Sequence, residues 1–393
     1  MKQKINAHTK EGRFFRNYFS IDHPSILCMY EEPDGIYFSN ARYNGLFFLD
    51  KKTFNVSYIR DFPGEKIAAV NLHRRIIRID ENYYFLPFLG TGLSVWNRSD
   101  NSMQFYSIRN FIGDGWGGSS ESFLIDGKIW IFPISLGQPL ICFNVENKEF
   151  EEHGWWNKAV LDFGKIKEGK LSIRSAINID GEIYFVIIGE KYIFKMNVAE
   201  QKIEIYELRQ DDDPQTISCI DHCLWFTSWK SNDIFAWDMN THAERKYNDK
   251  IDRTNTDHKY LTKIVKYKSR ILGIPRFGKR PFHFDDNQDW VEFEYSPNAA
   301  KRIHGFESRG ENPLFFNTFE GDDGKLYILP YSMNGCYTYD GKQWDFFELK
   351  MDMARVPKDD IYKGWIKNIK LENTYYENIN FDLEDFIDMA ILV

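Results

Sequence analysis

No stretch of this chain approaches the ~20 consecutive apolar residues that a membrane-spanning helix needs, so no such helix is expected. The segment Met1 to Thr9 carries charge with no apolar run behind it, and no secretory signal is visible. Cysteine is sparse. The five residues, at 28, 142, 219, 223 and 336, are odd in number and scattered, which speaks against a disulfide framework. Cys219 and Cys223 stand four apart and read as parts of a hairpin rather than a metal knuckle. These absences lead to the expectation of a reduced, cytoplasmic protein. A basic surplus is missing too: the net charge is −8 and no run of Lys and Arg offsets it. The whole-molecule field then repels nucleic acid, so neither nucleic acid nor membrane is an expected partner. There is also no Gly-rich phosphate loop, helix-borne His pair, nucleophile elbow or paired Cys motif.

Aromatic residues are abundant, at 17%, and they recur in register. Seven times an apolar-aromatic strand ends in Asp or Asn: Asp50, Asn97, Asn144, Asn197, Asp238, Asp285 and Asp340. Upstream of each lies a strand centred on a large residue: Tyr37, Tyr84, Trp130, Tyr184, Trp225, Leu272 and Tyr327. Tyr37 to Tyr327 is 290 residues in six steps, about 48 per step, which is propeller spacing. Asp34-Gly35, Asp126-Gly127, Asp180-Gly181 and Asp323-Gly324 mark hairpins, because a type I′ turn needs positive φ at both central residues. Pro87, Pro133, Pro275 and Pro330 fall where a second strand ends, since proline cannot donate to a ladder. A ring of seven acidic or amide residues invites a reading as metal ligands. Their short side chains also close Asx-turns, which is what a strand end requires, and they are taken as structural.

The expected fold is all-β: a seven-bladed β-propeller of four-stranded antiparallel blades with a short C-terminal helical tail. Residues 1–22 read as an N-terminal extension, 23–350 as the propeller and 351–393 as a tail. A helix is expected near 380–392, with Leu383, Phe386, Ile387 and Ile391 on one face.

Leu224-Trp225-Phe226-Thr227, followed by Asn232-Asp233-Ile234-Phe235-Ala236-Trp237-Asp238, resembles a repeat of the streptogramin B lyase type of propeller. Asp126-Gly127-Lys128-Ile129-Trp130 and Asp180-Gly181-Glu182-Ile183-Tyr184-Phe185 share its first half, and the sensor propellers of some two-component regulators have similar repeats. The resemblance spans residues ~23–349 as a pattern. It implies a propeller and, for the lyases, a His and a Glu around a magnesium-bound substrate in the central channel. No motif carries those two residues onto numbered positions here.

In a propeller, the loops after second strands share a face with the inter-blade connections, and that face is the usual ligand face. The loops carry Arg42 and Tyr43, Trp229 and Lys230, Arg276, Phe277 and Lys279, and Tyr331. The connections add Trp116 within Gly113–Gly118, Arg74 and Arg75, Trp155 and Trp156, and His304. Arginine forks suit carboxylate or phosphate, and aromatic faces suit rings and sugars. His304, near Glu307 and Glu311, is the one histidine considered for acid–base work. The leading expectation is a non-enzymatic propeller, needing no cofactor, that binds a partner protein or an anionic or carbohydrate-like ligand at the channel mouth. The alternative is a channel-sited lyase or hydrolase with a divalent cation.

Overall fold

Second strands carry the core. Gly35–Asn40, Asn82–Pro87, Lys128–Pro133, Glu182–Ile187, Cys223–Ser228, Arg270–Pro275 and Leu326–Pro330 each stand between two partners in their sheet. The large residue at the centre of each is buried, from Tyr37 and Tyr84 to Leu272 and Tyr327. A strand flanked on both sides and packed on both faces has no solvated face, hence its continuous apolar run. The four prolines close their strands as expected.

The computed structural model describes residues 21–112, 118–163, 166, 172–209, 214–228, 234–247, 261–275, 282–284, 290–292, 301, 315–331 and 334–371. Within these the chain is an all-β propeller of seven small antiparallel sheets, with a helix at Trp155–Asp162 and another at Lys358–Leu371. The inner strands are Ile26–Glu31, His73–Ile79, Ser119–Ile125, Ile173–Ile179, Pro214–Ile220, Leu261–Tyr267 and Phe315–Glu320, which head blades one to seven. No helix among the described residues is long and apolar enough to cross a membrane.

Two compact units divide the chain. The first, residues 1–72 with 295–393, holds blades one and seven. Blade one has a fifth strand: Lys350–Asp352 pairs in parallel with the outer strand Asn55–Arg60 and covers its open edge. The Lys358–Leu371 helix follows, upstream of the helix expected near 380–392, which lies outside the described residues. Its Trp365 is buried, donates from Nε1 to the Arg42 carbonyl at 3.2 Å, and meets Tyr43 edge-on at 6.2 Å. The second unit, residues 73–294, holds blades two to six. There the segment expected as an inter-blade connection at Trp155-Trp156 is helical. It buries Trp156 and Val160, with the Trp156 ring 5.5 Å from Phe132.

Six of the seven Asp/Asn turn residues are described, and all six close the expected turn. Asp50 Oδ1 accepts the Lys52 and Thr53 amides at 2.8 Å, and Asn97, Asn144, Asn197, Asp238 and Asp340 accept equivalent amides. Asp285 lies outside the described residues. The hairpin reading holds in part. Asp126-Gly127 and Asp180-Gly181 have positive φ at both residues, whereas at Asp323-Gly324 only the glycine does. Gly35 has no positive φ; it is small because a Cβ there would sit 2.3 Å from the Phe48 ring. Asp221-His222 makes a positive-φ pair with no glycine at all.

Candidate functional site

Every inner strand carries the same irregularity. Register slips between first and third residues at Ile26/Cys28, His73/Arg75, Ile173/Ser175, Pro214/Thr216, Leu261/Lys263 and Phe315/Asn317. In blade three, Ser119 and Glu121 show the same slip against Pro133 and Phe132. A bulge kinks a strand and re-aims the side chains beside it. The third residue of each inner strand is therefore an equivalent position. In the residues 73–294 unit these positions hold Arg75, Glu121, Ser175, Thr216 and Lys263.

The inner strands of blades two to six run side by side in chain order. Arg75 and its neighbour Arg74 both reach Glu121 on the next blade, with Arg74 Nε 3.6 Å from Oε1 and Arg75 Nη1 3.7 Å from Oε2. Each guanidinium also lies over a ring: Arg74 over Phe88 at 5.7 Å and Arg75 over Phe123 at 5.4 Å. Lys263 comes from blade six, yet it feels both Glu121 and Arg75. Lys263 is exposed at its surface, and desolvation pushes its pKa down, with Glu121 opposing and Arg75 assisting. Beside Arg74, fully buried His73 is held neutral by desolvation, its pKa down at about 3.

Two guanidinium groups thus reach one carboxylate, and Lys263 lies within electrostatic range of it. Arg75 keeps 46% of its side-chain surface and Glu121 21%, so the group is reachable from water. Two hydroxyls share the level: Ser175 Oγ accepts the Ile217 amide at 3.2 Å, and Thr216 Oγ1 lies 2.7 Å from Thr227 Oγ1. The arrangement can hold an anion between guanidinium and ammonium groups.

Of the second-strand-loop residues expected on a ligand rim, three are described. Tyr43 is wholly buried and donates its hydroxyl to the Ile21 carbonyl at 3.0 Å, so it packs the core and offers no face to a ligand. Arg42 is also buried, with its amide on Asn40 Oδ1 and its carbonyl on Trp365. Tyr331 is half-buried and donates to Asn71 Oδ1 at 3.1 Å. Trp116, Trp229, Lys230, Arg276, Phe277, Lys279 and His304 lie outside the described residues. Arg74 and Arg75 belong to a strand rather than a connection. Glu121 and Lys263 were not expected at any site. Their signal is a charged residue opening an apolar face: Arg75-x-Ile77-x-Ile79, Glu121-x-Phe123-x-Ile125 and Lys263-x-Val265-x-Tyr267.

No family model and no curated protein matches the chain. Solved structures do match. A streptogramin B lyase structure is 15% identical with a TM-score of 0.56, over 80% of this chain and 93% of the other. A catalytically inactive virginiamycin B lyase from Staphylococcus aureus, solved with quinupristin, is 10% identical at a TM-score of 0.56, over 79% and 94%. YCF48 from Cyanidioschyzon merolae is 8% identical at 0.55, again over 79% and 94%. Likeness at such low identity speaks to backbone architecture, and what this chain shares with all three is the β-propeller fold.

Proposed function

We propose that this protein is a binding propeller whose inner-strand cluster takes a small anionic ligand bearing a carboxylate or phosphate group. The observation that carries this reading is the charge balance at Arg74, Arg75, Glu121 and Lys263: three cations from blades two and six against one carboxylate from blade three. Desolvation disfavours keeping Lys263 charged, and an arriving anion offsets that cost. Guanidinium groups backed by Phe88 and Phe123 are already oriented, so less side-chain entropy is lost on binding. The same surplus of positive charge repels a divalent cation, so this cluster does not favour the metal-dependent lyase reading.

The test is isothermal titration with phosphate, citrate and glucuronate, with glucose as the neutral control. Arg75→Ala and Lys263→Met are the variants. A charge-assisted hydrogen bond contributes ~1.5–3 kcal/mol, so either change should weaken anion binding about 10- to 100-fold. Both side chains are solvent-accessible, so the thermal midpoint should hold. Binding of glucose alone, or affinities untouched by both variants, would overturn the proposal.

A further inference from the structure

Blade three holds a second cluster of a different kind. Strands Leu140–Asn144 and Phe150–His153 pair antiparallel with Cys142 opposite Glu151 and Leu140 opposite His153. Residues two apart on a strand share a face and so do direct cross-strand partners. Cys142, Glu151 and His153 therefore converge on one face of the blade. One donor atom from each, a thiol, a carboxylate oxygen and an imidazole nitrogen, lies within 4.8 Å of the other two. The three donors sit at graded depth. Cys142 is fully buried beside Trp130 in the core shared with Phe194 and Met196. His153 rests against Trp130 with ring centroids 5.0 Å apart. Glu151 lies at the exposed edge.

Packing alone does not account for these atoms. His153 Nε2 is enclosed, accepts or donates no hydrogen bond, and faces Glu151 Oε2 at 3.7 Å, beyond hydrogen-bond reach. A buried polar atom left that way calls for an explanation. Lys128 Nζ donates to Glu151 Oε2 at 3.4 Å from the cluster's edge.

We propose that Cys142, Glu151 and His153 bind a zinc ion, with water at the fourth position on the Glu151 side. Bond lengths of about 2.0–2.3 Å in a tetrahedron put donors roughly 3.5 Å apart, so the present spacing has to close by about 1 Å. Glu151 and His153 already stand near that spacing at 3.7 Å, so the closing falls between this pair and Cys142. The donor set selects the metal. Thiolate with imidazole suits zinc, whereas magnesium and calcium demand oxygen. Burial pushes the Cys142 thiol up to about 11, and desolvation holds His153 below its ordinary value. Zinc binds a neutral imidazole as it stands and displaces one proton from the thiol. The anion cluster lies on the inner strands, Cys142 on a third strand and the other two ligands on a fourth.

Cobalt(II), a spectroscopic stand-in for zinc, tests the idea on the full chain after chelator treatment. One equivalent should produce a thiolate-to-cobalt charge-transfer band, and zinc should abolish it by displacement. Cys142→Ser should remove the band, and His153→Ala should weaken metal binding at least tenfold. Circular dichroism would check that both variants are folded. Absence of the band in the wild-type protein overturns the site. So does a band that survives Cys142→Ser, which would place the metal on another cysteine such as exposed Cys219.

Discussion

A single position, the residue that ends each third strand, shows how closely side-chain chemistry and backbone geometry agree in this chain. Asp50, Asn97, Asn144, Asn197, Asp238 and Asp340 all present one oxygen to amides two or three residues on. The turn needs an acceptor on a short stem, and carboxylate or amide serves equally. The difference between them is titration. Amide donors hold the carboxyls of Asp50 and Asp238 below the ordinary value, the Thr53 and Thr241 amides being the largest causes. A depressed carboxyl stabilises the fold above its unfolded pKa, near 3.9, and loses that contribution as pH falls through the folded value. Asn has no proton to take up. Asp50→Asn with Asp238→Asn should therefore leave the thermal midpoint at pH 7 within a degree or two of wild type. It should also flatten the decline between about pH 5 and about pH 2. An equal or steeper decline in the variant would show that these turns are not part of the acid response. This position was legible in the sequence because Asx-turn chemistry is local.

At the scale of elements, legibility follows how local the cause is. The Asp126-Gly127 and Asp180-Gly181 hairpins need only their own two residues. The fifth strand Lys350–Asp352 is another matter: its partner is almost three hundred residues earlier in the chain, and nothing in Lys-Met-Asp announces a strand. The Trp155–Asp162 helix was hidden for a similar reason, since Gly154 supplies no side-chain cap. The Arg74–Glu121–Lys263 cluster depends on a bulge and on how the arc of inner strands bends, and both are tertiary properties. The Lys358–Leu371 helix, in turn, buries Ile361 and Trp365 in the core of its unit. Trp365 fills the core among Ile21, Tyr43, Phe47 and Ala68, and its indole nitrogen has a buried carbonyl partner. Truncation to Ala leaves a cavity and removes the indole donor to the Arg42 carbonyl. The expected loss is about 3–5 kcal/mol, read as a lower urea midpoint at unchanged slope. A loss under about 1 kcal/mol would mean that this helix is not anchored through Trp365.

For the whole molecule, the net charge of −8 and the cation cluster oppose each other. An approaching anion meets long-range repulsion before it meets local attraction. The two respond differently to salt. Repulsion acts between solvent-separated charges and is screened beyond ~8–10 Å at 0.1–0.15 M. The attraction at Arg75 and Lys263 acts at contact, over distances shorter than the screening length. Added salt should therefore speed association of citrate, as the opposing field is damped. Its effect on affinity should be shallow, about threefold or less between 50 and 200 mM, because the contact term persists. Stopped-flow rates and titration across a sodium chloride series would measure both. Lys263→Met keeps the long-range field almost intact while removing one contact charge, so it should lower affinity at every salt concentration without altering the sign of the rate effect. An association rate that falls steeply with salt, together with a tenfold or greater loss of affinity, would place the ligand on an exposed basic patch instead of the inner strands.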